Sequence, residues 1–371
     1  MIAMFTPLDY ARAACDTMMR RYAAPDLPPQ GAFHYHQGVF LSGMHETWKL
    51  CGEERYFAYI KDWIDSVFDE KGNIKKYIHA DLDDIQPGIL LFPLWERTRD
   101  PYYIQCLQSV YREVVDVPRN AEGGLWHKTS LKDQMWLDGL YMAGPFCAQY
   151  GREFHLPRLM KDVVRQACLM EKKTLDEKTG LLYHAWDGAK AAPWADPETG
   201  RAPEFWGRAM GWVPVALLND LDYLTDDVPG RQELVRITVN LLKALCHFQS
   251  EEGRWYQVVD KGDRPDNWLE NSCSCLFVAA LCKAMRLGYL SSDYAMNDRR
   301  GYEGVIRSLT WEGEDIQIGH VCVGTGVGDY QHYIGRPVRV NDLHAVGAFL
   351  IMCTEMQRWE NEQKIGQEEK Q

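Results

Sequence analysis

The sequence predicts an all-α protein: an (α/α)6 barrel of about twelve helices, inner and outer rings alternating, with long loops at one open end. Three observations predict it. Amphipathic helical segments take turns with segments that are apolar on nearly every side. Short connections lead from each apolar segment to the next amphipathic one. The return connections are long and rich in glycine and aromatic residues.

The elements follow in order. A first helix falls near 6–22. The stretch 38–48, GVFLSGMHETW, is apolar all round and therefore an inner helix. In 55–68, Tyr56, Tyr59, Ile60, Trp63, Ile64, Val67 and Phe68 recur at three- and four-residue steps, one apolar stripe on an outer helix. Inner segments follow at 85–95, 135–148, 205–218, 273–282 and 343–353. Outer stripes lie between them at 101–116, 154–171, 231–249 and 292–309. The pairs repeat loosely, roughly every 50–60 residues, a period that also fits an open helical solenoid. Inner helices with no polar face favour closure, because a solenoid leaves its helices facing solvent. The whole of 1–371 is expected to be one barrel domain.

Topology sends the long connections to one end. They carry GGLWHKT (123–129), TGLLYHAWD (179–187) and EGRWYQVVDKGD (252–263), and so Trp126, His127, Tyr183, His184, Trp186, Trp255 and Tyr256. Aromatic planes pack on the C–H faces of a sugar, and the polar groups suit its hydroxyls. These loops have room for short β-hairpins.

Composition narrows the partners. The net charge is -12 with no basic run, which excludes nucleic acid and anionic membranes as expected partners. The N-terminus shows no signal peptide, and no run is long enough to cross a membrane. The 11 cysteines are an odd number without a disulfide framework, as in a reducing compartment, so a cytoplasmic location is expected.

Asp138 stands out in LKDQMWLDGLYMAGPF (131–146), among Met135, Trp136, Leu137, Leu140, Tyr141 and Met142. Asp133 is the better N-cap for this helix, which puts Asp138 about one and a half turns inside it. A carboxyl in such company should have its pKa raised by desolvation, as a general acid requires. The alternative is a carboxylate satisfied by backbone donors. Asp83 and Asp84 open another inner helix; one is expected to cap it and the other to face the pocket. Two carboxylates at inner-helix mouths are the minimum for a glycosidase. His127 and His184 lie in the aromatic loops, with functional and structural roles equally open. Arg208 and Trp212 are four apart on one inner helix and share a face. Arg208 should meet either a substrate carboxylate or an inner-helix aspartate. His34 and His36 in HYHQG resemble a metal pair, but no HExxH or Cys–His framework supports one, so no metal is expected. VCVGTGVGDY (321–330) lacks the strand–loop–helix setting of a phosphate loop, and its glycines should shape a tight loop over the pocket.

Taken together, HYHQGVF, LDDIQPG, GGLWHKTSLKDQMWLDGLYMAGPF, TGLLYHAWD, PEFWGRAMGW, WYQVVDKGDRPDNWLE and NDLHAVGAF make the chain resemble the unsaturated rhamnogalacturonyl hydrolases, glycoside hydrolase family 105. It has kinship to the unsaturated glucuronyl hydrolases of family 88. The resemblance covers nearly the whole chain. One departure is LDDIQPG, where a small residue more usually follows the first aspartate.

The resemblance implies the (α/α)6 barrel and hydration of a C4=C5 double bond in an unsaturated galacturonyl residue, a pectin-lyase product linked to rhamnose. It implies no metal or organic cofactor. It makes Asp138 the general acid. It makes Asp83, His127, His184, Arg208 and Trp212 pocket residues, with Tyr35 and His344 in motifs near the site. Trp212 is expected to stack on the unsaturated ring. The rival readings are a conventional glycosidase using Asp138 and Asp83, an unsaturated glucuronyl hydrolase, a sugar epimerase and a sugar-binding protein without chemistry. The partner expected is a small unsaturated uronyl disaccharide or oligosaccharide; the sequence does not fix the oligomeric state.

Overall fold

A computed structural model describes residues 5–76 and 81–368. Six helical elements form the inner ring. They are α2 (Tyr35–Cys51), a 3-10 turn (Gln86–Leu90) running into α4 (Leu91–Thr98), α6 (Asp138–Glu153), α8 (Gly207–Leu221), α10 (Asn271–Arg286) and α13 (Leu343–Glu368). Each packs on the next, and α13 packs back on α2, so the ring closes as the pattern predicts. Closure needs a near approach of first and last inner helices. Gly347 supplies it: a Cβ there would lie 2.4 Å from the Val39 backbone.

The outer ring is α1 (Pro7–Arg21), α3 (Glu54–Val67), α5 (Pro101–Asp116), α7 (Pro157–Thr174), α9 (Arg231–His247) and α11 (Ala295–Arg307). Each buries one stripe against the inner ring; in α3 this is Tyr56, Phe57, Tyr59, Ile60, Trp63, Ile64 and Val67. Capping fixes their starts. Thr6 and Asp9 form a reciprocal capping box on α1, and Asp100 accepts from the Tyr102 N–H at α5. Inner helices are covered on all sides: in α10 only Lys283 and Arg286 of 16 residues escape full burial.

The long connections carry four antiparallel two-stranded ribbons: β1 (Gln134–Trp136) with β2 (Ala185–Asp187), β3 (Trp255–Tyr256) with β4 (Leu269–Glu270), β5 (Thr310–Glu312) with β6 (Asp315–Gln317), and β7 (Val321–Cys322) with β8 (Val338–Arg339). One short helix, α12 (Tyr330–Ile334), lies inside the last of these connections.

The first ribbon corrects the expected helix start. QMW pairs with AWD in the register Gln134↔Asp187, Met135↔Trp186 and Trp136↔Ala185, so this stretch is strand. Asp133 takes a left-handed backbone, φ 60°, and caps nothing. Helix α6 begins at Asp138 itself. Inner-helix N-termini therefore gather at one end of the barrel with the ribbons around them. Their partial positive charges favour anions there.

Candidate active site

Asp138 sits at the first position of α6, and its side chain is 12% exposed. Its Oδ2 lies 3.1 Å from His184 Nε2. His184 is fully buried, and its Nδ1 lies 2.6 Å from the Tyr333 hydroxyl. That hydroxyl accepts from the Gly328 N–H at 3.2 Å. The hydroxyl has one proton to give and Nδ1 is the acceptor within its reach, so we assign this bond as donated by the tyrosine. His184 then carries its hydrogen on Nε2 and presents it to Asp138.

A second chain runs beside the first. His127 stacks on Trp136, ring centroids 4.3 Å apart at 14°, and its Nε2 lies 3.5 Å from Asp83 Oδ1. Lys128 Nζ pairs with Asp83 Oδ2 at 2.6 Å. His34 Nε2 stands 3.9 Å from the same oxygen. Burial would raise the Asp83 pKa, but His127 and Lys128 outweigh it and lower it to about 2. Asp83 is a fixed anion. Asp84 gives the opposite result: burial and the Asp83 charge raise it to about 8. Neither carboxylate caps a helix; they lie in a 3-10 turn, Leu82–Asp84, without a side-chain cap.

The expected rise in the Asp138 pKa is not found. Burial pushes it up, but the His184 hydrogen bond and the electrostatic influence of the His184 and His127 rings outweigh it, holding it below the ordinary carboxylate value. In the unliganded site Asp138 is an anion. Apolar neighbours in the sequence signalled desolvation; they did not reveal two imidazoles brought in from other connections.

Arg208 is buried, with Nη1 donating to the Cys322 carbonyl at 2.6 Å and Nη2 to the Val323 carbonyl at 2.8 Å. Its nearest acidic group is Glu270, at 3.8 Å, on the β4 strand and not on an inner-helix aspartate. The fork thus anchors the 321–336 segment. Trp212 is 1% exposed and stacks on Tyr141 at 4.5 Å, so its place is in the barrel wall. Trp136, which the sequence reading left out of the site, is the indole beside Asp138's partners; it meets His184 edge-on at 5.5 Å. Tyr333 was missed as well. The expected aromatic rim is thinner than its composition: Trp255 is fully buried against Phe277, and Trp186 is tied to the Thr199 carbonyl.

The glycine-rich segment does fold over the mouth. A Cβ on Gly324 would lie 3.3 Å from the Tyr35 hydroxyl, one on Gly326 3.5 Å from Trp136, and one on Gly328 only 2.5 Å from the His332 ring. His344, at the start of α13, is fully buried beside Asp342 and His36, with the His36 and His344 rings 5.2 Å apart. Among the described residues these three form a group able to hold a metal ion.

A cavity of about 740 Å³ opens at the opposite end of the barrel, among inner-helix C-termini. Several of its charges are paired with one another: Arg358 with Glu46 and Glu355, Arg286 with Glu355, Lys283 with Asp222. The candidate site is the Asp138 end, where carboxylates face imidazoles.

A carboxyl group held by histidines at the mouth of an (α/α)6 barrel is the equipment of a glycoside hydrolase. The chain belongs to Glycosyl Hydrolase Family 88, whose model matches residues 10–360. It is 30% identical over 229 residues to Protein Atu3128 of Agrobacterium fabrum, covering 58% of this chain and 97% of that one. It is 27% identical over 302 residues to the unsaturated rhamnogalacturonyl hydrolase YesR of Bacillus subtilis, covering 80% and 81%. Among solved structures, a family 105 glycoside hydrolase from C. acetobutylicum superposes with a TM-score of 0.89 at 32% identity, covering 94% of this chain and 99% of that one.

Proposed function

We propose that this enzyme is an unsaturated rhamnogalacturonyl hydrolase and that Asp138 is its proton donor. The substrate is a small uronyl disaccharide or oligosaccharide with a C4=C5 double bond, of the kind pectin lyases leave, linked to rhamnose. The similarity to YesR supports the substrate class. The observation that carries the mechanism is the buried Asp138–His184 contact with its tyrosine support.

Asp138 gives a proton to C4, and water adds its oxygen at C5. The Asp138 carboxylate takes the proton that this water loses. The C5 hemiketal then opens to a ketone, and the C1–oxygen bond breaks to release rhamnose. One water is consumed and Asp138 regains its proton. Because Asp138 is anionic in the unliganded site, its proton must be taken up as substrate binds. The uronate carboxylate adds a negative charge and excludes water, and both raise a carboxyl pKa. Asp83, already neutralised by Lys128, is a positioning group for His127 and not an acid. Arg208 and Trp212 act from beneath, as the anchor of the covering segment and as barrel wall; Tyr35 and His344 border the mouth.

Action in the cytoplasm is part of the proposal. All 11 cysteines are free thiols, and among the described residues no helix is long and apolar enough to cross a membrane.

The test is the ultraviolet absorbance of the conjugated enol ether in unsaturated galacturonyl–rhamnose, wild type beside Asp138→Asn. Wild type should bleach it and release rhamnose, and the variant should not. Wild type inert on several unsaturated uronides but active on saturated glycosides would mark a conventional glycosidase. Interconversion of sugars without release would mark an epimerase.

A further inference from the structure

We propose that His36, Asp342 and His344 form a divalent-metal site of the two-histidine, one-carboxylate kind, with zinc the ion best matched to the donors. One ring nitrogen from each histidine and one carboxylate oxygen all lie within 4.8 Å of one another. His344 Nδ1 is 2.8 Å from Asp342 Oδ1, and His36 Nε2 is 3.6 Å from the same oxygen. Ligands of a four- or six-coordinate ion at metal–nitrogen distances of about 2.0–2.1 Å sit about 3 Å apart, and the two spacings to the Asp342 oxygen lie close to that.

The second observation is the state of His344. The ring is fully buried, yet neither nitrogen makes a hydrogen bond of acceptable angle, although Asp342 is within reach. A buried imidazole normally finds a partner for both nitrogens, and leaving them bare is costly. Side-by-side approach without hydrogen-bond alignment is how two ligands look when both point at a third atom. Outer contacts agree. His36 Nδ1 lies 3.0 Å from His34 Nδ1, which orients the His36 ring and leaves its Nε2 facing Asp342.

Arg208 faces the cluster with a positive charge, and the buried Glu270 beside it supplies the compensating negative one. Such an ion would tie the start of α13 to the start of α2, where the barrel closes. His36 is the most exposed of the three side chains, at 21%.

The experiment uses the whole chain, stripped with a chelator and titrated with Zn²⁺ by calorimetry and with Co²⁺ by absorbance. One Zn²⁺ per chain is expected, with affinity falling more than about a hundredfold in Asp342→Asn and in His36→Ala, beyond the 10–100-fold typical of outer-shell changes. Circular dichroism confirms that each variant is folded. The cobalt spectrum should show nitrogen and oxygen ligation and no thiolate charge-transfer band, which separates this cluster from the cysteines without relying on a variant. No stoichiometric Zn²⁺ in wild type, undiminished binding in both folded variants, or a thiolate band at one equivalent of Co²⁺ would each overturn the proposal.

Discussion

Replacing Tyr333 by phenylalanine removes a single oxygen from the chain Gly328–Tyr333–His184–Asp138. One fully buried and one half-buried partner lose it: His184 Nδ1 at 2.6 Å and the Gly328 N–H at 3.2 Å. An unsatisfied buried group costs about 1–3 kcal/mol, and a stability loss of that order is expected. The catalytic effect follows from the tautomer. Without the hydroxyl, His184 is free to carry its proton on Nδ1, and Nε2 no longer always donates to Asp138. The interaction that holds the Asp138 pKa down weakens, and that pKa rises. Asp138 acts protonated, so the limb along which kcat/KM falls with rising pH moves to higher pH. A shift of about one unit corresponds to about 1.4 kcal/mol. The maximum rate falls at the same time, because the His184 tautomers are mixed. The assay is kcat/KM against pH on the unsaturated disaccharide, with a thermal melt of the same preparation. A pH profile superimposable on wild type, in a variant that has lost stability, would refute the tautomer argument and leave Tyr333 as packing.

Further outcomes follow from the same geometry. Asp138→Asn should lower kcat by about 10²–10⁴-fold, the range for loss of a general acid or base, while substrate binding measured by calorimetry persists. In wild type the alkaline limb of kcat should lie at higher pH than that of kcat/KM, because bound substrate raises the Asp138 pKa; coincident limbs would contradict proton uptake on binding. Arg208→Met strands the fully buried Glu270 and frees the Cys322 and Val323 carbonyls, so it should cost about 3–5 kcal/mol in denaturant unfolding, the range for breaking a buried pair. Asp298 is buried beside Cys282 with its pKa raised to about 7, against 3.8 ordinarily. Between those values the folded state holds a proton the unfolded chain has lost, so stability falls as pH rises. Asp298→Asn should therefore gain up to about 4 kcal/mol at pH near 8 and nothing near pH 4, read from unfolding midpoints at the two pH values.

The barrel was legible because its signal is local. Apolar faces repeat along each helix, and all-round burial in 205–218 or 273–282 leaves few architectures. The position of Asp138 on the open end was also legible, from connection lengths. Its electrostatics were not. They depend on His184 and His127, which reach it only through the β1–β2 ribbon and the loop before it, and on Tyr333 from a short helix late in the chain. The QMW strand was mistaken for helix because three apolar or long residues satisfy either period. Arg208 on an apolar helix did signal a buried partner. Its partners turned out to be backbone carbonyls, which no side-chain pattern encodes. The His36–Asp342–His344 group escaped notice because its members come from the two ends of the chain, meeting only where the ring closes.

The central claim is that chemistry begins at the double bond and not at the glycosidic oxygen. The most direct measurement uses an unsaturated galacturonyl analogue joined to its aglycone through carbon, so that no glycosidic bond can break. With wild type, the enol-ether absorbance should disappear although nothing is released, and with Asp138→Asn it should persist. If wild type cleaves the oxygen-linked disaccharide but leaves the carbon-linked double bond intact, hydration is not the first step and the assignment of Asp138 as a donor to carbon is wrong.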